Sequence, residues 1–205
     1  MTILDSNTLR KHLRNNRKKL TQAEQVEHAK KAFAHVKSLL ENNSKFSSPQ
    51  NIAIFLSQDG ELATQQTIKY LWQHTHHKVY LPVLETRNGW HMAFVHYTNN
   101  SKIIKNRFGI KEPSVPLNEH LSGQEMDWVL MPLVGFDNQG NRLGMGGGYY
   151  DRSFEFKLHS HKNSTQLIGW AHECQRVEKL PAETWDVPLN GIITEQGFHT
   201  FTKTR

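Results

Sequence analysis

Residues 127–136, DWVLMPLVGF, are the most hydrophobic stretch of the chain. A run this short and this apolar reads as a strand covered on both faces, the kind that sits at the centre of a parallel sheet. Shorter runs of the same character recur at 51–57 (NIAIFLS), 78–84 (KVYLPVL), 90–97 (WHMAFVHY), 166–172 (QLIGWAH) and 191–195 (GIITE), the last strand expected. Helical periodicity fills the gaps. Residues 8–20 carry a thin stripe of Leu9, Leu13 and Leu20, with Arg10, Arg14 and Arg17 on another face. Thr21 and Glu24 form a capping box for a second helix whose apolar face is Val26, Ala29, Phe33, Val36 and Leu40. Residues 64–74 read as a third helix, with Ile68, Leu71 and Trp72 inward, and a further helix is expected after the glycines of 144–148. Strands alternating with helices predict an α/β fold with a largely parallel central sheet.

At 205 residues the chain suits one core, so 1–205 is expected to be a single domain. Its hydrophobic content of 37% excludes a disordered chain. No apolar run approaches the roughly 18 residues of a membrane helix, and no secretory signal is visible. The lone Cys174 excludes an internal disulfide and fits a reducing, cytoplasmic setting. Nearly all of the +6 net charge lies in the first 20 residues, where Arg10, Lys11, Arg14, Arg17, Lys18 and Lys19 face Asp5 alone. A basic arm of this kind suits nucleic acid, an anionic surface or a small polyanion. The absence of aromatic residues from 8–20 argues against single-stranded nucleic acid.

Ligands of open α/β sheets sit beyond the carboxyl ends of the strands. Three polar segments fall there: SQDGELAT (57–64), FDNQGNRLGMGGGYYD (136–151) and the AHEC region (171–174). The glycine cluster matches neither the Walker nor the dinucleotide signature. Consecutive glycines nevertheless let a backbone approach a ligand and turn several N–H groups toward an anion. Arg142 is placed to clamp phosphate. Asp151 beside such a loop makes electrostatic sense with an intervening cation, Mg2+ being the usual one, although a first-turn helix acid is equally ordinary. The thirteen histidines show no clear metal-ligand spacing and read as surface residues, and Cys174 reads as a small buried hydrophobe. No nucleophile signature is present.

Taken together, MPLVGFDNQGNRLGMGGGYYDR (131–152), RKHLR (10–14), FLSQDGELAT (55–64), LPV (81–83), FGIKEP (108–113) and WDVPLNGIITE (185–195) resemble the 5-formyltetrahydrofolate cyclo-ligase family, across roughly residues 8 to 195. The resemblance implies a three-layer α/β/α fold. It implies conversion of 5-formyltetrahydrofolate and Mg-ATP to 5,10-methenyltetrahydrofolate, ADP and phosphate through an iminium phosphate. It implies small-molecule substrates only, no nucleic acid or membrane partner, and action as a monomer. By that resemblance Arg10, Lys11, His12, Leu13 and Arg14 contact ATP, with Lys11 and Arg14 foremost. Arg142, Leu143, Gly144, Met145, Gly146, Gly147, Gly148, Tyr149 and Tyr150 cradle the triphosphate. Leu56, Glu61 and Phe108 hold the folate, joined by Met145 to Tyr149. Arg142, Met145, Gly146 and Gly147 border the reacting atoms, and Asp151 and Asp186 position Mg2+. Some family members carry basic residues inside the glycine loop, where this chain has Met145 and Gly147, so the missing charge must come from Arg142, the basic helix or the metal. A phosphosugar isomerase or a CoA-transferase-like enzyme on a similar sheet, with Glu61 as a base, is the alternative, and it would turn over without ATP.

Overall fold

Helix starts are written locally. Asp5 accepts the backbone N–H groups of Asn7 and Thr8 and opens α1 (Ser6–Lys18). Thr21 and Glu24 close the expected capping box, in which Glu24 Oε2 accepts the Thr21 N–H at 2.7 Å, and start α2 (Gln22–Asn42). This computed structural model describes residues 5–84, 92–106, 109–159 and 164–201. The elements that follow α2 are β1 (Asn51–Ala53), α3 (Gln65–His74), β2 (Lys78–Leu84), β3 (Met92–His96), β4 (Ile103–Lys105) and β5 (Lys111–Pro113). Then come β6 (Trp128–Pro132), β7 (Gly135–Phe136), β8 (Arg142–Leu143), α4 (Tyr149–Phe154), α5 (Phe156–His159), β9 (Gln166–Trp170), β10 (Gly191–Thr194) and β11 (Gly197–Thr200).

The main sheet has seven strands in the order β11-β10-β9-β6-β1-β2-β3. The five inner strands run parallel, and β11 and β3 add antiparallel edges. The apolar run at 127–136 supplies β6, the middle strand, as its composition predicts. Because successive side chains point to opposite faces, the strands feed two cores. Ile52, Ile54, Trp128, Leu130, Ile168 and Ile193 pack under α2 and α3 through Ala32, Val36, Ile68 and Leu71. Ala53, Val129, Met131, Leu167 and Ile192 share the opposite core with Phe154 of α4 and Leu158 of α5. The result is an α/β/α sandwich.

Several boundaries differ from the sequence reading. The run 51–57 ladders only as far as Ala53, with one further bond from the Ile54 N–H to the Tyr80 carbonyl; the chain then peels away into the 55–64 loop. GIITE is not the last strand, since Gly197–Thr200 returns antiparallel beside it. Val26 is 58% exposed, because the packed face of α2 runs through Ala29, Ala32, Val36, Leu39 and Leu40 and leaves Val26 at its border. The end of 127–136 leaves the main sheet, and Gly135–Phe136 pairs with Arg142–Leu143 in a separate hairpin. Buried Asp137 ties that hairpin turn, accepting the N–H groups of Gln139, Asn141 and Leu180. The hairpin delivers the glycine loop to the carboxyl edge.

Candidate active site at the carboxyl edge of the sheet

Parallel β1, β6 and β9 place all three predicted polar segments at the same edge. α1 lies across them. Its only buried residues are Leu13 and Arg17. Leu13 joins Val134, Leu143 and Leu180, and it sits so close over Gly135 that a Cβ there would lie 2.5 Å from Leu13 Cδ1. The rest of the attachment is ionic. Asp59 Oδ2 accepts from Arg14 Nη2 at 2.7 Å and Arg17 Nη2 at 3.1 Å, and its other oxygen pairs with Lys18. The Asp59 carbonyl takes Arg17 Nε at 3.0 Å. Burial alone would raise the Asp59 carboxyl, but hydrogen bonds from Lys18 and Arg14 and the charge of Arg14 override it and hold the pKa at about 2. Asp59 also adopts φ +53°, a conformation that Asp and Asn tolerate better than most residues. The AHEC region backs this arrangement: Gln175 Nε2 donates to the carbonyls of Leu133 and Val134.

At its other end α1 meets the glycine loop. Arg10 Nε donates to the Gly144 carbonyl at 2.8 Å, and a Cβ on Gly146 would lie 3.5 Å from the Arg10 guanidinium carbon. Gly146 and Gly148 have φ of +90° and +61°, which disfavour side chains there. Arg152 reaches back to the Gly147 carbonyl at 2.7 Å and lies 5.4 Å over the Tyr149 ring. Arg10 and Arg152 therefore flank the loop positions where Met145 and Gly147 supply no charge. Met145 itself is 61% exposed. Lys11 and His12 are exposed, and Lys11 has no ion-pair or hydrogen-bond partner among the described residues. The helix after the loop, Tyr149–Phe154, is short and adds little dipole.

Arg142 is not in the open position that its place in the loop suggests. Its side chain is 5% exposed and is committed to Asp151 Oδ1 at 2.7 Å and to the Val187 carbonyl at 2.9 Å. Burial lowers its pKa, against the charges of Asp151 and Asp186. Asp151 Oδ1 also accepts the Val187 N–H, so the residue next to Asp186 is hydrogen-bonded to Asp151. Asp186 Oδ2 accepts the Glu183 N–H. The second oxygen of each carboxylate has no hydrogen bond among the described residues.

Glu61 sits in the 57–64 loop. Its Oε2 accepts the Gln58 N–H at 3.0 Å and its Oε1 is 4.0 Å from Arg17 Nη2. Burial raises its pKa, opposed by the Gln58 hydrogen bond and the Arg17 charge. Burial also raises the Tyr150 phenol, and the charge of Glu61 adds to that, which places the 57–64 loop and the start of α4 within one electrostatic neighbourhood. Leu56 is half-buried against the first core. Phe108 lies outside the described residues.

Two readings of the sequence are corrected. Cys174 is exposed, not buried. The histidines are not uniformly on the surface. His172 is fully buried, its Nδ1 lies 3.0 Å from His28 Nδ1, and His28 Nδ1 is 3.6 Å from Glu195 Oε1. Burial, then the charge of His28, lowers His172 to about 4. The sequence reading also passed over Arg17, Asp59 and Arg152. The signal for Arg17 was its place on the Arg10–Arg14 face, and that for Arg152 its position one turn after Gly148.

A family model for the 5-formyltetrahydrofolate cyclo-ligase family matches residues 3–195. The 5-formyltetrahydrofolate cyclo-ligase of Haemophilus influenzae is 38% identical over 186 residues, covering 90% of this chain and 95% of that protein. The enzyme of the same name from Escherichia coli K12 is 45% identical over 143 residues, 70% of this chain and 76% of that one. Among solved structures, the 5,10-methenyltetrahydrofolate synthetase of Aquifex aeolicus shares the fold, with a TM-score of 0.78 at 24% identity over 98% of this chain and 95% of that one. The chain belongs to the 5-formyltetrahydrofolate cyclo-ligase family.

Proposed function

We propose that this protein converts 5-formyltetrahydrofolate and Mg-ATP to 5,10-methenyltetrahydrofolate, ADP and phosphate. The observation that carries the reading is the meeting, at one edge of the sheet, of a basic helix, a glycine loop flanked by Arg10 and Arg152, and the half-buried carboxyl of Glu61. A formamide is unreactive because its nitrogen donates into the carbonyl, and its oxygen leaves poorly. Transfer of the γ-phosphoryl group to that oxygen gives an iminium phosphate; N10 attacks the carbon and gives up its proton, the C–O bond breaks, and phosphate departs. Nucleophile and leaving group both belong to the substrates, so the protein's share is positioning and charge stabilisation. That agrees with the lack of a catalytic triad signature.

In this reading the N–H groups of Gly144 to Gly148 cradle the triphosphate, with Arg10, Lys11 and Arg152 supplying positive charge. His12, Leu13 and Arg14 complete the nucleotide side, Leu13 and Arg14 mainly by fixing the helix. Glu61 and Leu56 hold the folate, with Met145 and Tyr149 bordering the reacting atoms. Arg142 acts from below the loop by fixing Asp151. The all-oxygen donor set of Asp151 and Asp186, each with one oxygen free of hydrogen bonds among the described residues, fits a hard cation such as Mg2+. Bound there, Mg2+ would offset charge on the phosphate oxygens. Purified protein with 5-formyltetrahydrofolate and Mg-ATP is expected to form methenyltetrahydrofolate, followed by its near-ultraviolet absorbance. No product above a protein-free control refutes the assignment, and turnover without ATP refutes the phosphoryl step.

A further inference from the structure

His28 on α2, His172 after β9 and Glu195 at the end of β10 converge at a point that the proposed chemistry does not use. One ligand atom from each lies within 4.8 Å of the other two. The three come from separate elements, so the cluster is a product of the fold and not of helical spacing. We propose that the Nδ1 atoms of His28 and His172 and the carboxylate of Glu195 form a site for a borderline divalent metal of the zinc class, distinct from the Mg2+ of the phosphate site.

The geometry supports this. Bond lengths of about 2.0–2.1 Å at a tetrahedral metal separate ligand atoms by about 3.3 Å. Two edges of the cluster measure 3.0 Å, between the two Nδ1 atoms, and 3.6 Å, from His28 Nδ1 to Glu195 Oε1. The third edge lies within 4.8 Å, and water would fill the fourth position. Two imidazoles and one carboxylate suit zinc and its neighbours better than Mg2+ or Ca2+, which take oxygen.

The surroundings have the features of a supported site. Glu195 Oε2 accepts the Glu173 N–H at 3.0 Å, which orients the carboxylate. His172 Nε2 is buried and has no hydrogen-bond partner among the described residues. The Gly60 backbone works in the other direction from burial and raises the basicity of the His172 ring. A proton on Nε2 would leave the Nδ1 lone pair for a metal. Arg17, whose charge is felt at His172, is already matched by Asp59. A metal here would staple α2 to the ends of β9 and β10, directly behind the 57–64 loop.

The test uses the full chain, stripped with chelator. Titration with ZnCl2 by calorimetry is expected to show one tight equivalent that millimolar Mg2+ does not displace. Co2+ in its place is expected to give the intense visible absorption of a tetrahedral ion. His28→Gln and Glu195→Gln, both at half-buried positions, are each expected to weaken Zn2+ binding at least tenfold and to abolish the Co2+ band. His172→Ala should do the same if it folds. The proposal is overturned if no stoichiometric Zn2+ binds. It is equally overturned if the His28 and Glu195 variants keep the wild-type affinity, which would move binding to other histidines and leave the cluster a hydrogen-bonded pair with a nearby acid.

Discussion

Replacing Asp59 by Asn should separate the ionic attachment of α1 from everything else in the molecule. Asn is nearly isosteric and tolerates the positive φ at this position, so the backbone need not move. What is lost is the charge facing Arg17, which is 1% exposed, together with one of the two carboxylate oxygens, Oδ2 accepting from Arg14 and Arg17 and Oδ1 from Lys18. Breaking a buried ion pair costs about 3–5 kcal/mol. Here the Asp59 carbonyl at 3.0 Å and the Leu133 carbonyl at 3.4 Å still receive Arg17, and Glu61 stands 4.0 Å away. The partly exposed Arg14 and Lys18 pairs add only about 0–1 kcal/mol each. The expected net loss is about 2–3 kcal/mol, a fall in Tm of roughly 4–12 °C for a domain of this size. Circular dichroism through thermal and urea unfolding at pH 7 measures it. The pH dependence gives an independent check. Asp59 titrates at about 2 in the folded protein, below its ordinary value of 3.8, so its contribution is complete above the ordinary value. That contribution is lost as pH falls through about 2, and the gap between wild type and variant should close over that window. A loss under about 0.5 kcal/mol at neutral pH, or a gap that acid leaves unchanged, refutes the ionic account of how α1 is held.

Three further outcomes follow from the site. Lys11→Ala should raise KM for ATP about tenfold to hundredfold, the worth of one charge-assisted hydrogen bond, with little change in KM for folate or in Tm; the opposite split reassigns the helix. Asp151→Asn, which can still accept from Arg142 and Val187, should keep its circular dichroism spectrum while kcat falls and the Mg2+ requirement rises; an unaltered Mg2+ titration removes Asp151 from the metal role. Glu61→Gln should raise KM for folate more than for ATP. Because burial lifts the Glu61 pKa above the ordinary carboxyl range, the wild-type acid limb should lie higher than a surface carboxylate would give, and the Gln variant should lack it.

What the sequence discloses is set by how local the physics is. Capping at Thr21 and Glu24 depends on two residues three apart and could be read directly. The central strand declares itself because burial on both faces forces an unbroken apolar run. The glycine loop is legible because positive φ at Gly146 and Gly148 selects against side chains. Asp59, by contrast, looks like any loop aspartate, since its partners lie 41 to 45 residues earlier. The commitment of Arg142 to Val187 and the meeting of His28, His172 and Glu195 are likewise set by chain segments brought together only in the fold. The burial of Arg142 is hidden for the same reason, since its partners Asp151 and the Val187 carbonyl are brought to it only by the fold.

The basic arm shows how far position can alter the meaning of a charge. Six cations in the first 20 residues look like the footprint of a polyanion. In the folded chain Arg14, Arg17 and Lys18 all converge on one carboxylate, and Arg17 is sealed from water. Half of the apparent excess is therefore an anchor. α1 needs it, because Leu13 is its only buried apolar residue and could not hold a helix of this length alone. The cations that remain toward the glycine loop are Arg10, bonded to the Gly144 carbonyl, and Lys11, without a partner among the described residues. A small, localised charge of that kind suits one triphosphate at a fixed distance from Gly144 to Gly148 and is poorly matched to an extended nucleic acid, whose affinity grows with the number of phosphates neutralised. The division also couples the two halves: any change that slackens Asp59 should be felt at Arg10 as weaker nucleotide binding, although the two residues do not touch.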